Sequence, residues 1–572
     1  MRYIILTSIS LLLLISCSTR DDNAVFISLA DNFIEKLLEL NPEWATSLGD
    51  HRYDHRMGDY SLAGIEKETK LFQLYLDSLK MISPVNLSQT NQIDYKILKM
   101  NLESMLFSRT TLRAYEWNPL SYNMGGAIYS LLVRDFAPLK QRLENVKNRL
   151  LAIPEILQAA RTNLQNPPRV HTETAIIQNR GNISLVTTEL NNFIAQAPEM
   201  KDILAPVQEV TLRALEAYGK WLEEDLLPRS EGDFRLGEEK FRQKLYFTLQ
   251  SDLSKEEILT RAQEELDKTQ KQMYEAAALL YAKYFPGKAI PGSENKKEVI
   301  KAVLDRLADD HPNNQTIVPI AREKLVECTE FVRVKNLVSV PDEPIKIIVM
   351  PEFQRGVAVA YCDAPGALEE KGDTFYAISP TPDDWNAKRV LSFFREYNNY
   401  MLDNLTIHEA VPGHYLQLIH SNQFKAPTKI RTIFASGTFI EGWATYAEQL
   451  MVEAGYGGPE LKMQQLKMRL RLIINAIIDQ KIHTGGMTEG EAMSLMINEG
   501  FQEEGEAAGK WRRACLTSTQ LSTYFVGNLE VNDIRTRYET KYGPNVDIKQ
   551  MHDKILSFGS PAPKFVMEML AI

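Results

Sequence analysis

Two histidines and two glutamates lie close together in the sequence and could form a metal site. His408 and His414 are six residues apart, Glu409 follows the first, and Glu441 comes 27 residues after the second. Zinc hydrolases use histidine nitrogens and a carboxylate oxygen as three ligands, and they leave a fourth position for water beside a general base. We therefore predict that His408, His414 and Glu441 bind zinc and that Glu409 takes a proton from the attacking water.

The spacing of the two histidines does not fit a regular helix. Zinc-binding helices usually carry histidines four residues apart, whereas a separation of six turns the two side chains about 240° away from each other. Pro412 interrupts helical hydrogen bonding, and Gly413 tolerates unusual backbone angles. The sequence therefore predicts a break or a two-residue bulge that brings His414 round to face His408.

A histidine–glutamate pair followed by a second histidine often occurs by chance, so residues 408–414 alone do not decide whether a metal site is present. Glu441 supplies the missing carboxylate and favours a metal site over a chance arrangement. Glu448 is seven residues later, on the same face of a helix, and is expected to hold one ligand imidazole by a hydrogen bond. His420 is expected to be an ordinary helix-face residue.

The hydrophobic pattern predicts a mainly helical region before this site. Residues 31–40, 139–164, 207–227 and 254–284 have apolar side chains at helical intervals. Pro154 predicts a break in the second of these segments. Ser254 and Glu257 have the spacing of a capping box, which marks a helix start.

Three short β-rich runs interrupt the helical pattern at residues 345–350, 357–361 and 374–378, each followed by turn-forming residues. They predict a small sheet, and the run 357–361 is either an edge that pairs with an extended peptide or a packing strand. We divide the chain into a helical region, 18–335, and a catalytic region, 336–572. The catalytic region holds the sheet (345–380), the metal-site helices (400–450) and C-terminal helices.

The first residues have the pattern of an export signal. Met1-Arg2 precedes an apolar run, 4–15, which is too short to span a membrane comfortably. Leu14-Ile15-Ser16-Cys17 is typical of a lipoprotein processing box, so we predict removal of the signal peptide within 1–17 and a lipid anchor on Cys17. The alternatives are an uncleaved anchor and a plain secretory signal.

Composition narrows the classes of partner. The formal net charge is −10, with 44% hydrophobic and 24% charged residues, as in an ordinary globular protein. A nucleic-acid-binding protein would carry basic stripes, so we expect no nucleic-acid partner. Besides Cys17, only Cys328, Cys362 and Cys515 are present, too scattered for a disulfide framework or a CxxC metal site.

Two families resemble the chain. The segment that begins at Glu441-Gly442-Trp443 is similar to the Glu-Gly-Phe-Ala segment of the aminopeptidase N family, in which the glutamate is the third zinc ligand. Over most of its mature length the chain more closely resembles the domain-of-unknown-function family 885, bacterial proteins grouped with the gluzincin metallopeptidases. The matching segments begin at Gly232, His408, Glu441, Asp479 and Tyr524. This resemblance implies a mainly α, zincin-type fold with a small sheet beside the active-site helix, and the six-residue histidine spacing is a trait of that family.

A zinc peptidase also needs a hydrogen-bond donor for the developing oxyanion. Tyr524 is our first candidate for this donor and His483 the second. Arg535, eleven residues after Tyr524, would share its helix face and could bind a substrate carboxylate. Each of the three residues, judged alone, is more often structural.

The sequence therefore predicts an exported, lipid-anchored zinc peptidase of the cell envelope, and analogy with helical gluzincins favours short peptides as substrates. One alternative is a catalytically inactive lipoprotein that binds peptide or metal. Another is a metal-dependent hydrolase of a different amide or ester. The sequence does not predict the oligomeric state.

Overall fold

Helices account for most of the chain in the computed structural model, which describes residues 21–350, 359–369, 372–383, 385–543 and 545–572. Cys17 lies outside the described residues. Within that described part of the chain, no helix is both long enough and apolar enough to cross a bilayer. Among the described residues, fourteen α-helices precede the sheet: α1 Asp22–Leu40, α2 Pro42–Leu48, α3 Leu62–Lys80, α4 Gln89–Phe107, α5 Ala114–Trp117, α6 Gly125–Val133, α7 Leu139–Asn163, α8 Arg169–Ser184, α9 Leu190–Ile194, α10 Lys201–Trp221, α11 Glu238–Leu249, α12 Lys255–Tyr284, α13 Lys296–Ala308 and α14 Ile317–Lys335.

The second half of the chain begins with the sheet and is helical afterwards, which confirms the predicted mainly α class with a small sheet. The strands are β1 Ile345–Val349, β2 Ala360–Asp363 and β3 Thr374–Ile378. The helices are α15 Ala387–Glu396, α16 Asn399–Glu409, α17 His414–Asn422, α18 Ile430–Ile433, α19 Gly437–Glu453, α20 Gly458–Gly485, α21 Glu489–Ser494, α22 Glu504–Leu516, α23 Ser522–Tyr542, α24 Ile548–Leu556 and α25 Pro563–Leu570.

The sheet has the order β1-β3-β2, with β1 parallel and β2 antiparallel to β3. The first and third strands lie where the sequence predicts them. The second strand, Ala360–Asp363, overlaps the predicted run 357–361 at residues 360 and 361 and extends two residues beyond it. Residues 357 and 358 lie outside the described residues. Ser379 donates its N–H to the Val359 carbonyl at 2.8 Å. Because antiparallel pairs alternate along a strand, Ala360 and Cys362 direct their backbone groups away from β3, toward the edge.

The predicted break at Pro154 is wrong, because α7 continues through it as one helix. Proline removes the N–H that would bond to the carbonyl of Leu150. The hydroxyl of Thr211, on the neighbouring α10, donates to that buried carbonyl at 3.1 Å instead. The predicted capping box is confirmed, since Ser254 and Glu257 each bond to the other's backbone N–H.

The hydrophobic cores join helices that are distant in sequence. One core packs α1, α3 and α4 against Ile430, Phe434 and Phe565. Another packs α11, α12 and α13 against α20 and the start of α23. Arg431 and Asp94 form a buried ion pair at 2.6 Å across the first of these contacts. Residues before and after position 335 therefore pack in the same two hydrophobic cores, and the predicted regions 18–335 and 336–572 are not packed separately.

Helices α19 and α23 cross at backbone distance, and this crossing sets the position of the metal-site residues. A Cβ atom built on Gly527 would lie 2.1 Å from the carbonyl oxygen of Thr438 and 2.7 Å from the Cα atom of Gly442. A Cβ on Gly442 would lie 2.5 Å from the backbone of Gly527. Both glycines are required because no side chain fits between the two helices.

We predict that Gly527→Ala forces α19 and α23 apart and destabilises the protein by about 1–3 kcal/mol, as overpacked interiors do. The thermal unfolding midpoint measures this loss. Gly509→Ala is the matched control, because a Cβ there meets no atom within 4 Å and the residue lies inside α22. An unchanged midpoint for Gly527→Ala would contradict the close crossing.

The buried side of α23 also carries Glu530, whose side chain has only one partner among the described residues. Its Oε1 accepts a hydrogen bond from the Ser251 hydroxyl, while Oε2 has none. Burial is the main cause that raises the pKa of Glu530 to about 7. The folded protein therefore favours the protonated carboxyl.

This raised pKa predicts a loss of stability as pH rises. The contribution of Glu530 is fully present below the unfolded pKa, near 4.3, and is lost as the pH approaches and passes the folded pKa of about 7. Glu530→Gln, which keeps a neutral side chain, should raise the unfolding midpoint at pH 8 by about 1–4 °C and change it little at pH 4. An equal change at both pH values would contradict this assignment.

Candidate metal centre

A break between two helices brings the histidines together. Helix α16 ends at Glu409 and α17 begins at His414. Across the break, Gly413 donates its N–H to Ile407 at 3.0 Å and Leu416 donates to Ala410 at 3.3 Å. Both hydrogen bonds reach back six residues where a regular helix reaches back four. Two residues are therefore looped out, which confirms the predicted break.

Two contacts fix the loop between the helices. A Cβ atom on Gly413 would lie 1.9 Å from the carbonyl oxygen of His408, so only glycine fits this position. The fully buried Trp443 donates its indole N–H to the carbonyl of Pro412 at 2.8 Å. Because Trp443 lies on α19, this bond attaches the loop to the helix that carries Glu441.

The three residues predicted as ligands converge and form what we call the His–Glu cluster: His408, His414 and Glu441. Glu441 Oε2 lies 3.6 Å from His408 Nε2 and 3.5 Å from His414 Nε2. One ligand atom from each residue lies within 4.8 Å of the other two. Ligands held about 2.1 Å from one tetrahedral zinc ion are about 3.4 Å apart, so these separations fit a zinc ion.

Helix α19 also orients the first histidine. Glu448, 1% exposed, lies with its Oε1 2.7 Å from His408 Nδ1 and accepts a hydrogen bond from the Asn404 amide at 2.7 Å on Oε2. A carboxylate at this distance fixes the proton on Nδ1 and leaves the lone pair of Nε2 directed into the cluster. The contact that the spacing of Glu441 and Glu448 predicts is therefore present.

Carboxylates dominate the electrostatics of the cluster. Burial lowers the pKa of His408, but Glu441 and Glu448 outweigh it and raise the pKa well above its ordinary value. Burial raises the pKa of Glu441, and His408 and His414 overcome it and lower that pKa below its ordinary range. The raised pKa of His408 indicates that the carboxylates around it favour a positive charge at this position, which a divalent cation would supply.

Glu409 lies between the cluster and the sheet. It follows His408 at the end of α16, and its Oε2 accepts the backbone N–H of Cys362 at 3.0 Å. This N–H is one of the groups that β2 directs away from β3. The edge strand therefore holds the carboxylate predicted as the general base, a contact that sequence reasoning missed.

Tyr524 lies near Glu441, across the crossing of the two glycines, and is close enough for the Glu441 carboxylate to affect its pKa. It lies one turn before Gly527 on α23, while Glu441 is next to Gly442 on α19. Burial and the Glu441 carboxylate both raise the pKa of Tyr524. Its hydroxyl oxygen accepts hydrogen bonds from Arg513 at 3.2 Å and Gln520 at 3.4 Å, which leaves the Tyr524 proton available for donation.

The contacts of His483 give it a structural role. Its Nε2 lies 3.0 Å from the carbonyl of Ala514 and 2.9 Å from that of Thr517, and its ring stacks on Phe241. The hydrogen-bonding capacity of this nitrogen is therefore already used by backbone carbonyls at the end of α22 and just after it. The structure therefore does not bring His483 to the cluster, and it supports no oxyanion role for it.

Arg535 lies on α23 as predicted, but it is paired elsewhere. Its guanidinium contacts Glu453 at 2.8 Å and Glu539 at 2.9 Å. Eleven residues of helix also place it about 16 Å along the axis from Tyr524. These two ion pairs and this distance do not support the predicted role in substrate binding. Arg513, which sequence reasoning missed, is the arginine beside Tyr524.

We predict that Glu448→Gln weakens zinc binding about 10–100-fold, as loss of a carboxylate that holds a ligand histidine does in other zinc sites. Competition with a chromogenic chelator measures the affinity. Glu453→Gln on the same helix is the control, because Glu453 is exposed and contacts Arg535 rather than a histidine. Equal affinities for the two variants would contradict the role of Glu448.

Comparison with known proteins adds a family and a fold. The family model described as "Bacterial protein of unknown function (DUF885)" matches residues 42–570. A solved structure described as "a putative lipoprotein of unknown function from Shewanella oneidensis" is 33% identical, with 96% of this chain and all of that chain covered and a TM-score of 0.81. The structure of "the putative lipoprotein from Colwellia psychrerythraea" is 19% identical over 96% and 99% of the two chains, with a TM-score of 0.77, and shows the fold alone. No curated protein sequence matches the chain.

Proposed function

The chain belongs to the bacterial family of unknown function DUF885, and from its site geometry we propose that it is a zinc-dependent peptidase of the cell envelope. The observation that carries the proposal is the position of Glu441 Oε2, 3.6 Å and 3.5 Å from the Nε2 atoms of His408 and His414. This set of three protein ligands is typical of catalytic rather than structural zinc sites, which use four.

The residues around the cluster match the steps of peptide hydrolysis. His408, His414 and Glu441 would hold zinc, which when bound polarises water and a carbonyl oxygen. Glu409 accepts a proton from the water molecule as the water oxygen bonds to the carbonyl carbon. Glu409 then passes this proton to the nitrogen of the leaving amine as the C–N bond breaks.

Tyr524 is the proposed donor to the oxyanion that forms on the former carbonyl oxygen. Arg513 and Gln520 both donate to its hydroxyl oxygen, so the Tyr524 proton is the one that remains for the substrate. A donor of this kind contributes about 3–4 kcal/mol to stabilisation of the transition state.

The edge of the sheet is the proposed binding position for an extended peptide. Ala360 on β2 directs its backbone N–H and carbonyl away from β3, and Cys362, two residues later, contacts Glu409. A peptide added to this edge by backbone hydrogen bonds would run past the proposed base. Recognition through the backbone supports a peptide substrate over an isolated ester.

We further propose that Cys17 carries a lipid that anchors the protein to the cell envelope. The support is the processing box in the sequence and the description of the 33% identical Shewanella oneidensis protein as a lipoprotein.

The test of the function is Glu409→Gln in the zinc-loaded protein, assayed with a library of short quenched-fluorescent peptides. We expect zinc to remain bound while turnover falls about 10²–10⁴-fold, the usual contribution of a general base. Chelation should abolish turnover of the wild type, and added zinc should restore it. Unchanged turnover in Glu409→Gln would contradict the mechanism.

The ligand assignment has its own check in metal analysis of His414→Ala, which should lose stoichiometric zinc. His420→Ala is the matched control, because the His420 Nε2 lies 2.8 Å from the Ser339 carbonyl and His420 is not part of the cluster. Zinc retained at one equivalent in His414→Ala would overturn the assignment.

A further inference from the structure

An arginine without a carboxylate partner lies beside the proposed oxyanion donor. Arg513, on α22, is exposed, donates to Tyr524 Oη at 3.2 Å and to Gln520 Oε1 at 2.8 Å, and lies over the Tyr524 ring. It forms no ion pair with any residue that the structure describes. Arg535 and Arg471, by contrast, each contact two carboxylates.

Lys510, one turn before Arg513 on α22, belongs to a network of charged residues that does not neutralise the charge of Arg513. Lys467 and Arg471 contact Glu396, and Arg471 and Lys510 contact Glu506. This buried network holds three positive and two negative charges, so it is itself positive by one. Burial lowers the pKa of Lys510 to about 8, the charge of Glu506 opposes this, and the charges of Arg471 and Arg513 add to the lowering. Arg513 therefore adds a second excess positive charge close to Lys510 of this network, which favours an anion.

The position of Arg513 relative to Tyr524 indicates where on a substrate that anion lies. A hydrogen bond from Tyr524 to the scissile oxygen adds about 2.7 Å to the 3.2 Å between Arg513 Nη2 and Tyr524 Oη. In a peptide, the α-carboxylate of the residue after the scissile bond is about 4–5 Å from that oxygen, given standard bond lengths. The guanidinium thus lies within reach of a carboxylate one residue beyond the cleaved bond.

We propose that Arg513 binds the free α-carboxylate of the substrate, so that the protein removes single residues from the carboxyl ends of short peptides. This inference rests on the proposed peptidase function and names its substrate class. Both hydrogen bonds of Arg513 come from its Nη2, so its Nε and Nη1 donors remain for a ligand. A guanidinium recognises a carboxylate by charge-assisted hydrogen bonds. A neutral carboxamide, or a chain that continues past this position, offers no such partner.

The experiment compares each of a set of tripeptides as the free acid and as its C-terminal carboxamide, with the zinc-loaded protein. For the wild type, kcat/KM should be roughly 10- to 100-fold higher for the acid, the range expected when a charged hydrogen bond is lost. In Arg513→Gln this ratio should fall to near one. Arg513→Lys, which keeps the charge, should retain part of it.

Arg512→Gln is the matched control. Arg512 is the preceding residue on α22 and donates to Thr174 rather than to Tyr524, so its variant should keep the wild-type ratio. Because Arg513 also contacts Tyr524, its loss can lower activity on acid and carboxamide alike, and the ratio separates this effect from carboxylate binding.

Two outcomes overturn the inference in distinguishable ways. If the wild type cleaves acid and carboxamide equally, or if Arg513→Gln keeps the wild-type ratio, Arg513 does not bind the carboxylate and the peptidase function stands. If the zinc-loaded wild type cleaves neither peptide of any pair, the proposed function fails and this inference fails with it.

Discussion

The close approach of α19 and α23 is the constraint on which the site depends. Helix α19 carries Glu441, Gly442, Trp443 and Glu448 within eight residues, and each of them has a different task. The glutamates face the histidines, the glycine meets α23, and the tryptophan holds the loop before α17. A shift of α19 by the width of one methyl group would therefore disturb three contacts together, because packed interiors do not absorb such a change.

The second organising element is the distribution of charge. Glu409, Glu441 and Glu448 lie near two histidines in a largely buried region, a combination that is unfavourable unless a cation or proton compensates it. Arg513, which contacts Tyr524, is instead exposed and has no carboxylate partner among the described residues. In the proposed function the cluster would hold the metal ion, Tyr524 would donate to the substrate carbonyl, and Arg513 would bind a carboxylate close to that carbonyl.

The sequence was most informative where one residue type has few roles. The histidines and glutamates predict a set of metal ligands by their chemistry, and Pro412-Gly413 predicts a break because neither residue suits a helix interior. The mainly α fold and the first and third strands follow from hydrophobic periodicity.

Other features depend on contacts between distant segments, which a single sequence does not reveal. The helix continues through Pro154 because Thr211 supplies the missing donor. Arg513 is relevant only because α22 and α23 place it on Tyr524, and Arg535 faces two glutamates that no local pattern identifies. His483 has the residue type of a catalytic donor, yet its nitrogen is used by two backbone carbonyls. The second strand lies a few residues later than the alternation suggests.

The start of α1 has a consequence for the anchored protein. Asp21 caps this helix, and the helix packs into a core shared with α18 and α25. Only three residues, 18–20, separate a lipid-bearing Cys17 from the cap, and the four Cα–Cα steps from Cys17 to Asp21 span at most about 14 Å when extended. Such a short linker would keep the folded part of the protein almost in contact with the bilayer. A peptidase anchored in this way would act on peptides released at the membrane surface rather than on peptides in the surrounding space.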